Sequence, residues 1–183
     1  MARILNLVII IFEIIAFSKS INWHGIRKSF IFYTQISNFI TLISSLLLVV
    51  FGQMEMVEVA RYLSVCMLVM TFFVTAAILV PMSGKLKELL LSGSGLYHHL
   101  LVPIISALSY IFFEVGVPFY WIWLPVLVTL VYGLIMLRLN YLGLVQGPYP
   151  FFMIKSNGIK ATVIWMIALM IVISLFSGLV GYL

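Results

Sequence analysis

Residues 33–38 have the sequence YTQISN, a run of hydroxyl and amide side chains just inside the start of a long apolar segment, 30–51. Polar residues spaced at i, i+3, i+4, i+7 and i+11 lie on one face of a helix. In this segment they are Thr34, Ser37, Asn38, Thr41 and Ser45. Lipid offers such groups no hydrogen-bond partner. We therefore predict that these five residues, the polar stripe, face other helices or an enclosed cavity.

The composition predicts an all-α integral membrane protein. Of the 183 residues, 64% are hydrophobic and 8% are charged, too few charges for the surface of a water-soluble globule. A helix needs about 20 apolar residues to cross a bilayer. Six windows qualify: 4–17, 30–51, 59–80, 96–115, 119–137 and 161–182. The first window is short, and we expect it to extend towards the N-terminus or to be thinly embedded. We predict a single domain, 1–183, formed by a bundle of six transmembrane helices.

The net charge of +5 is better explained by membrane topology than by nucleic-acid binding, because the basic residues occupy short loops between apolar windows. The first, third and fifth loops carry Lys19, Arg27, Lys28, Lys85, Lys87, Arg138, Lys155 and Lys160, against Arg3 and Arg61 on the other side. Lys and Arg are retained on the cytoplasmic side, so we expect both termini outside, in a bacterial cytoplasmic membrane. Because Glu13 interrupts the first apolar run, we interpret that run as a retained span rather than a cleaved signal peptide.

This topology brings polar residues from distant segments to the cytoplasmic end of the bundle, among them Thr34, His98 and His99. A threonine hydroxyl becomes a nucleophile when an adjacent base, most often histidine, takes its proton. Donors for a developing oxyanion lie within about one helical turn of Thr34; the candidates are Asn38, Ser37 and Tyr33. The alternative is that the polar stripe only joins helices, which is the role of most small polar residues in membrane helices.

The two histidines point about 100° apart on a helix, so one of them faces a given target. His99 shares its face with Pro103, Ser106 and Tyr110, a face that we interpret as directed into the bundle. We predict His99 as the base and His98 as an orienting or alternate group. An alternative places the histidines simply at the level of the lipid head groups.

The carboxylates differ in their expected roles. Glu13 lies inside an apolar run, where a charge is costly, and it either orients a histidine or pairs with a Lys or Arg, the second being favoured. Glu114, Glu55 and Glu58 belong to the opposite membrane face and are predicted to form a solvated rim. The histidines, the cysteine and the carboxylates lack metal-ligand spacing, so we expect neither a metal nor a cofactor.

Three short motifs resemble a known family: residues 32–38 (FYTQISN), residues 98–103 (HHLLVP) and residues 147–151 (GPYPF). Together they resemble the small bacterial six-span proteins that are distantly related to the androgen-induced and androgen-dependent membrane threonine hydrolases. Those hydrolases cleave fatty acid esters of hydroxy fatty acids. In the hydrolases an asparagine follows the threonine at i+3, whereas here Asn38 stands at i+4 and Ser37 at i+3. His98 matches the hydrolases in its spacing to proline, and His99 matches the bacterial relatives.

The resemblance implies that Thr34 is a nucleophile and that a histidine of the fourth span is its base. We therefore predict a lipid hydrolase or acyl-transfer enzyme acting on a membrane lipid or acyl ester. An anionic head group could be held at the mouth of the site by Lys28, Arg138 and Lys155. Alternatively, these basic residues only set the orientation of the protein in the membrane. The alternative function is a noncatalytic small-solute transporter or lipid-binding module. Internal repeats and broken helices, which are common in transporters, are not evident in the sequence.

Overall fold

The computed structural model describes residues 1–24 and 29–182, with the backbone alone at residues 22–24. It confirms the all-α fold class, since six helices are long and apolar enough to cross a membrane. They are α1 (Ala2–His24), α2 (Tyr33–Phe51), α3 (Glu55–Ser83), α4 (Leu96–Phe113), α5 (Phe119–Leu142) and α6 (Ile154–Tyr182). A short helix, Leu86–Leu90, lies between α3 and α4.

Four of the helices, α1, α3, α5 and α6, are longer than their apolar windows. Helix α1 extends towards the N-terminus, as expected, and also continues past Lys19. Helix α6 starts at Ile154, but its backbone is not helical at Gly158, where φ is 78° and ψ is 161°. Glycine adopts this conformation without the steric cost that a Cβ would bring. The polar segment 154–157 is therefore a separate turn, and the apolar span of α6 begins after it.

Helix α3 is the centre of the bundle: it packs against α2, α4, α5 and α6, while α1 packs against α2 and α4. Ala2 at the start of α1 clusters with Leu48 near the end of α2 and Val57 near the start of α3. Near the end of α6, Ser177 accepts a hydrogen bond from Tyr62 of α3 through its backbone carbonyl. Both chain termini thus lie at one end of the bundle, called the terminal end here. The other end is called the opposite end.

The bundle has an apolar exterior and a polar interior. Large aliphatic side chains such as Ile11 on α1 and Ile167 on α6 are more than half exposed, as expected for surfaces that face lipid. All five residues of the polar stripe are buried. The prediction that the stripe faces other helices is therefore confirmed.

Two helices contain π-helical turns, Thr75–Leu79 in α3 and Leu96–Leu101 in α4. Both turns lie at the opposite end of the bundle. A π turn has i→i+5 hydrogen bonds and accommodates an extra residue, so it rotates the side chains relative to a regular α-helix. The π turn in α4 contains both adjacent histidines, of which His98 is buried.

The prediction that Glu114 belongs to a solvated rim is wrong, because its side chain is 1% exposed. Its carboxylate accepts two hydrogen bonds from the guanidinium of Arg61, from Nε at 2.8 Å and from Nη2 at 3.1 Å. Ser109 and Asn6 donate to the same carboxylate at 2.6 and 3.0 Å. A buried charge is stable only when it is paired and hydrogen-bonded, so Glu114 at the end of α4 turns inward to Arg61. Glu55 is exposed, as expected.

Candidate functional site

Thr34 is the second residue of α2, where backbone N–H groups have no partner inside the helix. Its N–H donates to the phenolic oxygen of Tyr149 at 3.3 Å. Its side-chain hydroxyl lies 3.3 Å from the same phenolic oxygen. The phenol therefore completes the start of α2 and forms a hydroxyl pair with Thr34, across 115 positions of sequence.

The connection between α5 and α6 holds Tyr149 in place. The Asn140 side chain hydrogen-bonds both the carbonyl and the N–H of Gly147. The Asn157 amide donates to the carbonyl of Pro150 at 2.7 Å. Burial raises the pKa of Tyr149, so its phenol keeps its proton at neutral pH. Tyr149 is thus a fixed, uncharged hydroxyl opposite Thr34.

A second hydroxyl pair lies beside the first. The Tyr33 phenol and the Thr129 hydroxyl of α5 are 2.8 Å apart, and the Tyr33 ring packs edge-on against Tyr132. Tyr132 in turn donates its phenolic proton to the carbonyl of Ile31. The two pairs, Tyr33–Thr129 and Thr34–Tyr149, are called the hydroxyl end below.

The hydroxyl end lines a narrow, partly open pocket with a cavity volume of about 40 Å³. The rest of the lining is mainly apolar and comes from α3, α5, α6 and the connection before α6. It comprises Met70, Thr71, Val74, Thr75, Leu79, Tyr132, Gly133, Phe151, Phe152, Met166, Leu169 and Met170. A mostly apolar cavity with a few convergent polar groups is the usual form of a small-ligand site.

Ser37 and Asn38, predicted as oxyanion donors, direct their donors to the backbone instead. The Ser37 hydroxyl donates to the carbonyl of Thr34 at 3.0 Å, and the Asn38 amide donates to the same carbonyl at 2.7 Å. The Asn38 amide also reaches the carbonyl of His98 at 3.4 Å. These contacts fix the first turn of α2 and join it to α4.

His98 lies inside the bundle, on the side of α2 that faces α1. Its Nε2 atom is 3.2 Å from a carboxylate oxygen of Glu13, and its Nδ1 atom is 3.3 Å from the Gln35 amide. The Phe17 ring packs edge-on against the imidazole at 4.9 Å between centroids. Of the two roles considered for Glu13, its position beside His98 favours orientation of a histidine over pairing with a Lys or Arg.

His99 faces a different part of the molecule. Its Nδ1 atom donates to the carbonyl of Leu89 at 2.7 Å, in the short helix that precedes α4. His98 is buried, and regular helical spacing puts it on one face with the buried residues Val102 and Ser109, at i+4 and i+11. Among the described residues, neither histidine forms a hydrogen bond with Thr34, whose hydroxyl meets Tyr149.

Two of the three basic residues expected at the mouth of the site, Arg138 and Lys155, are not part of the pocket lining. Arg138 and Lys155 are both exposed, and Lys28 lies outside the described residues. Within residues 1–24 and 29–182, no group of three or more His, Cys, Asp or Glu side chains is placed to hold a metal ion.

Sequence reasoning missed Tyr149, Gln35 and Thr129 as members of these constellations. Tyr149 belongs to the GPYPF motif, and that motif was the one signal in the sequence that could have pointed to it. Gln35 lies next to Thr34, but it points about 100° away from the polar stripe. Thr129 is the one threonine in its apolar span, and no local pattern connects it with Tyr33.

Comparison with protein-family models, with curated proteins and with solved structures finds no match for this chain.

Proposed function

We propose that this protein binds the acyl chain of a membrane lipid in the pocket beside Thr34, with the polar group of the lipid at the hydroxyl end. The observation that carries the proposal is the pocket, whose walls are mainly Met, Leu, Val and Phe side chains and whose polar groups are hydroxyls. Methionine side chains adapt their shape readily. A flexible acyl chain suits walls of this kind.

The hydroxyl end supplies the selectivity of this site. Lipid tails are as apolar as leucine, so an apolar lining by itself gives little preference for a ligand over the surrounding bilayer. A hydrogen bond between the lipid's polar group and Thr34 or Tyr149 adds a contact that the bilayer core does not offer. The polar group of the ligand is therefore held at Thr34, and its chain follows the apolar walls.

Cleavage of an acyl ester is a second candidate function, favoured by the position of the Thr34 hydroxyl in the hydroxyl end and by the resemblance to the membrane threonine hydrolases. In this reaction Thr34 Oγ1 bonds to the ester carbonyl carbon as the ester C–O bond breaks. The Thr34 proton passes to the Tyr149 oxygen while the Tyr149 proton passes to the leaving alcohol. Water then hydrolyses the acyl-threonine, releasing the fatty acid and restoring Thr34. The cleavage step uses Tyr149 as the proton relay, in place of the base predicted from the sequence, which was His99 with His98 as the alternate.

The proposal extends to the membrane environment. We propose that the opposite end, where the basic residues are concentrated, lies at the cytoplasmic face of a bacterial membrane, with both termini outside; the retention of Lys and Arg on that side supports this orientation. Thr34 and Tyr149 lie towards this end, so the lipid enters from the cytoplasmic leaflet. Arg138 and Lys155, exposed at the same end, stand where lipid phosphates are found.

A photoreactive acyl lipid tests the binding. A clickable lipid with a diazirine in its acyl chain is irradiated with the protein in membranes, and the modified peptides are located by mass spectrometry. We expect adducts on peptides that contain Met70 or Met166, and weaker labelling in Thr34→Val and Tyr149→Phe. The matched controls are Thr162→Val, a buried threonine outside the pocket lining, and the exposed Tyr141→Phe. Labelling spread over the lipid-facing surface, with none in the pocket, would overturn the proposal.

A fluorophosphonate probe separates binding from catalysis. An adduct on Thr34 that is lost in Tyr149→Phe supports cleavage with Tyr149 as the proton relay. An adduct that depends on His99 or His98 instead assigns the base to a histidine. Lipid crosslinking in the pocket without any adduct on Thr34 would support lipid binding and would exclude cleavage by Thr34.

A further inference from the structure

The hydroxyl end has more hydrogen-bond donors than its internal contacts use. The Thr34–Tyr149 pair has two O–H groups and one contact between them, and the Tyr33–Thr129 pair has the same arrangement. A hydroxyl group carries one proton to donate, so each pair keeps one O–H proton after its internal hydrogen bond is made. Among the described residues, no further hydrogen bond is seen that would use these two protons.

The backbone carbonyl of Thr34 itself is already occupied. The carbonyl of Thr34 receives hydrogen bonds from both Ser37 and Asn38. The Thr71 hydroxyl, which also lines the pocket, is used in its contact with Ser37 at 3.0 Å. The spare donors of the hydroxyl end are therefore available to an acceptor atom of a ligand.

The pocket contains no charge to balance an ionised ligand. Among the described residues that line it, none is a Lys, Arg, His, Asp or Glu. The nearby cations Arg138 and Lys155 are exposed and lie outside the lining. A carboxylate or phosphate in this low-dielectric site would lose its hydration without gaining a counter-ion, which is strongly unfavourable. A neutral carbonyl avoids this cost and still accepts the available hydrogen bonds.

We infer that the pocket selects an uncharged lipid ester, whose carbonyl oxygen accepts from the hydroxyl end, and rejects the ionised fatty acid with the same chain. This inference rests on the proposed lipid-binding function and names the chemical class of the ligand. It also assigns Tyr33 and Thr129 to ligand recognition, together with Thr34 and Tyr149.

The preference for an uncharged ligand has a consequence for each candidate function. In ester cleavage, the neutral ester binds in the pocket, whereas the fatty acid that is formed ionises and dissociates from it. For a binding protein, the same selectivity separates neutral lipids from fatty acids in the membrane.

Competition against the photoreactive lipid tests the inference. The protein is placed in nanodiscs with a clickable diazirine methyl ester and with equal mole fractions of methyl palmitate or palmitate at pH 9. We expect methyl palmitate to compete at least roughly tenfold more strongly, the discrimination that about one favourable polar contact and an unpaired charge can provide. On acidification, palmitic acid becomes neutral and its competition should approach that of the ester.

Two variants connect this selectivity to the hydroxyl end. Tyr33→Phe and Thr129→Val each remove one O–H group and should weaken competition by the ester about three- to tenfold. Thr162→Val serves as the control, and competition in this variant should be unchanged. A matched alkane without a carbonyl tests the role of the acceptor, and it should compete weakly.

The outcomes distinguish the inference from the proposal beneath it. If none of the lipids competes and no pocket peptide is labelled, the lipid-binding function itself fails. If labelling is present but palmitate at pH 9 competes as well as the ester, the inference is overturned and the binding function stands. Equal competition by the alkane would also overturn it, because the carbonyl would then make no contribution.

Discussion

At the scale of single residues, the charges inside the bundle are explained by pairing. Arg61 and Glu114 are both buried and form a two-point ion pair, and three serines, Ser45, Ser64 and Ser106, accept the remaining guanidinium protons. Glu13 lies beside His98 in the same interior. Each of these pairs joins helices that are distant in sequence, so each contributes to the arrangement of the bundle.

Removing one partner of the Arg61–Glu114 pair should destabilise the protein strongly. Arg61→Met leaves the Glu114 carboxylate buried without its cation, and we expect a loss of roughly 3–5 kcal/mol in the free energy of unfolding. Thermal unfolding in detergent measures it. The double variant Arg61→Met with Glu114→Leu should recover much of the loss, because no uncompensated charge remains. Arg138→Met is the control, since Arg138 is exposed; an equal loss in this variant would contradict the explanation.

At the scale of helices, the π turns and the contact between α5 and α6 shape the site. The π turn in α4 contains both histidines, and His98 is the one that lies beside Glu13 and Gln35. Gly133 in α5 allows Met166 of α6 to approach closely, and both residues line the pocket. The width of the pocket thus depends on how these two helices pack.

Gly133→Ala should narrow the pocket without unfolding the protein. A Cβ atom at this position would lie 2.6 Å from Cε of Met166, so the flexible end of the methionine has to move. We expect a stability change within about 1–3 kcal/mol, typical of overpacking, and clearly weaker crosslinking of the photoreactive acyl lipid. Gly178→Ala in α6 is the matched control, because its added methyl group meets no atom within 4 Å. Undiminished crosslinking in Gly133→Ala would exclude Met166 from the ligand path.

At the scale of the whole molecule, six helices alternate between two ends with different charges. The terminal end holds the buried Arg61–Glu114 pair, and the opposite end carries exposed basic residues such as Lys85 and Lys155. Because Arg61 is buried in a pair, it does not count as a loop charge. Among the basic residues used to assign the topology, Arg3 is then the one left at the terminal end, so the asymmetry that favours a cytoplasmic opposite end is stronger than the sequence alone indicated.

Cysteine labelling tests this orientation. Cys66 is fully buried, so the unsubstituted chain should react little with a membrane-impermeant maleimide in intact cells. Gly116→Cys, in the connection between α4 and α5 at the terminal end, should be labelled from outside. Ser156→Cys, exposed at the opposite end, should be labelled only after the cells are permeabilised. The reverse pattern would invert the topology, and labelling of both from outside would contradict a six-span arrangement.

The sequence by itself determined the class of the protein, the six helices and the burial of the polar stripe. These features follow from local rules: a span needs a certain apolar length, and polar groups in a membrane helix turn away from lipid. Helix ends were less certain, as the turn before Gly158 illustrates, because a polar segment next to a span can be helical or not according to its neighbours.

Only the tertiary structure decided which polar groups meet. Tyr149 and Thr34 are 115 positions apart, and Arg61 and Glu114 are 53 apart; no periodic pattern links residues across such distances. The sequence identified Thr34 and placed two histidines at its level, but the rotation of α4 and the course of the connection before α6 determine their actual neighbours. Contacts between helices depend on how each helix is rotated about its axis and how deeply it is inserted, and both are settled by the packing of all six helices together.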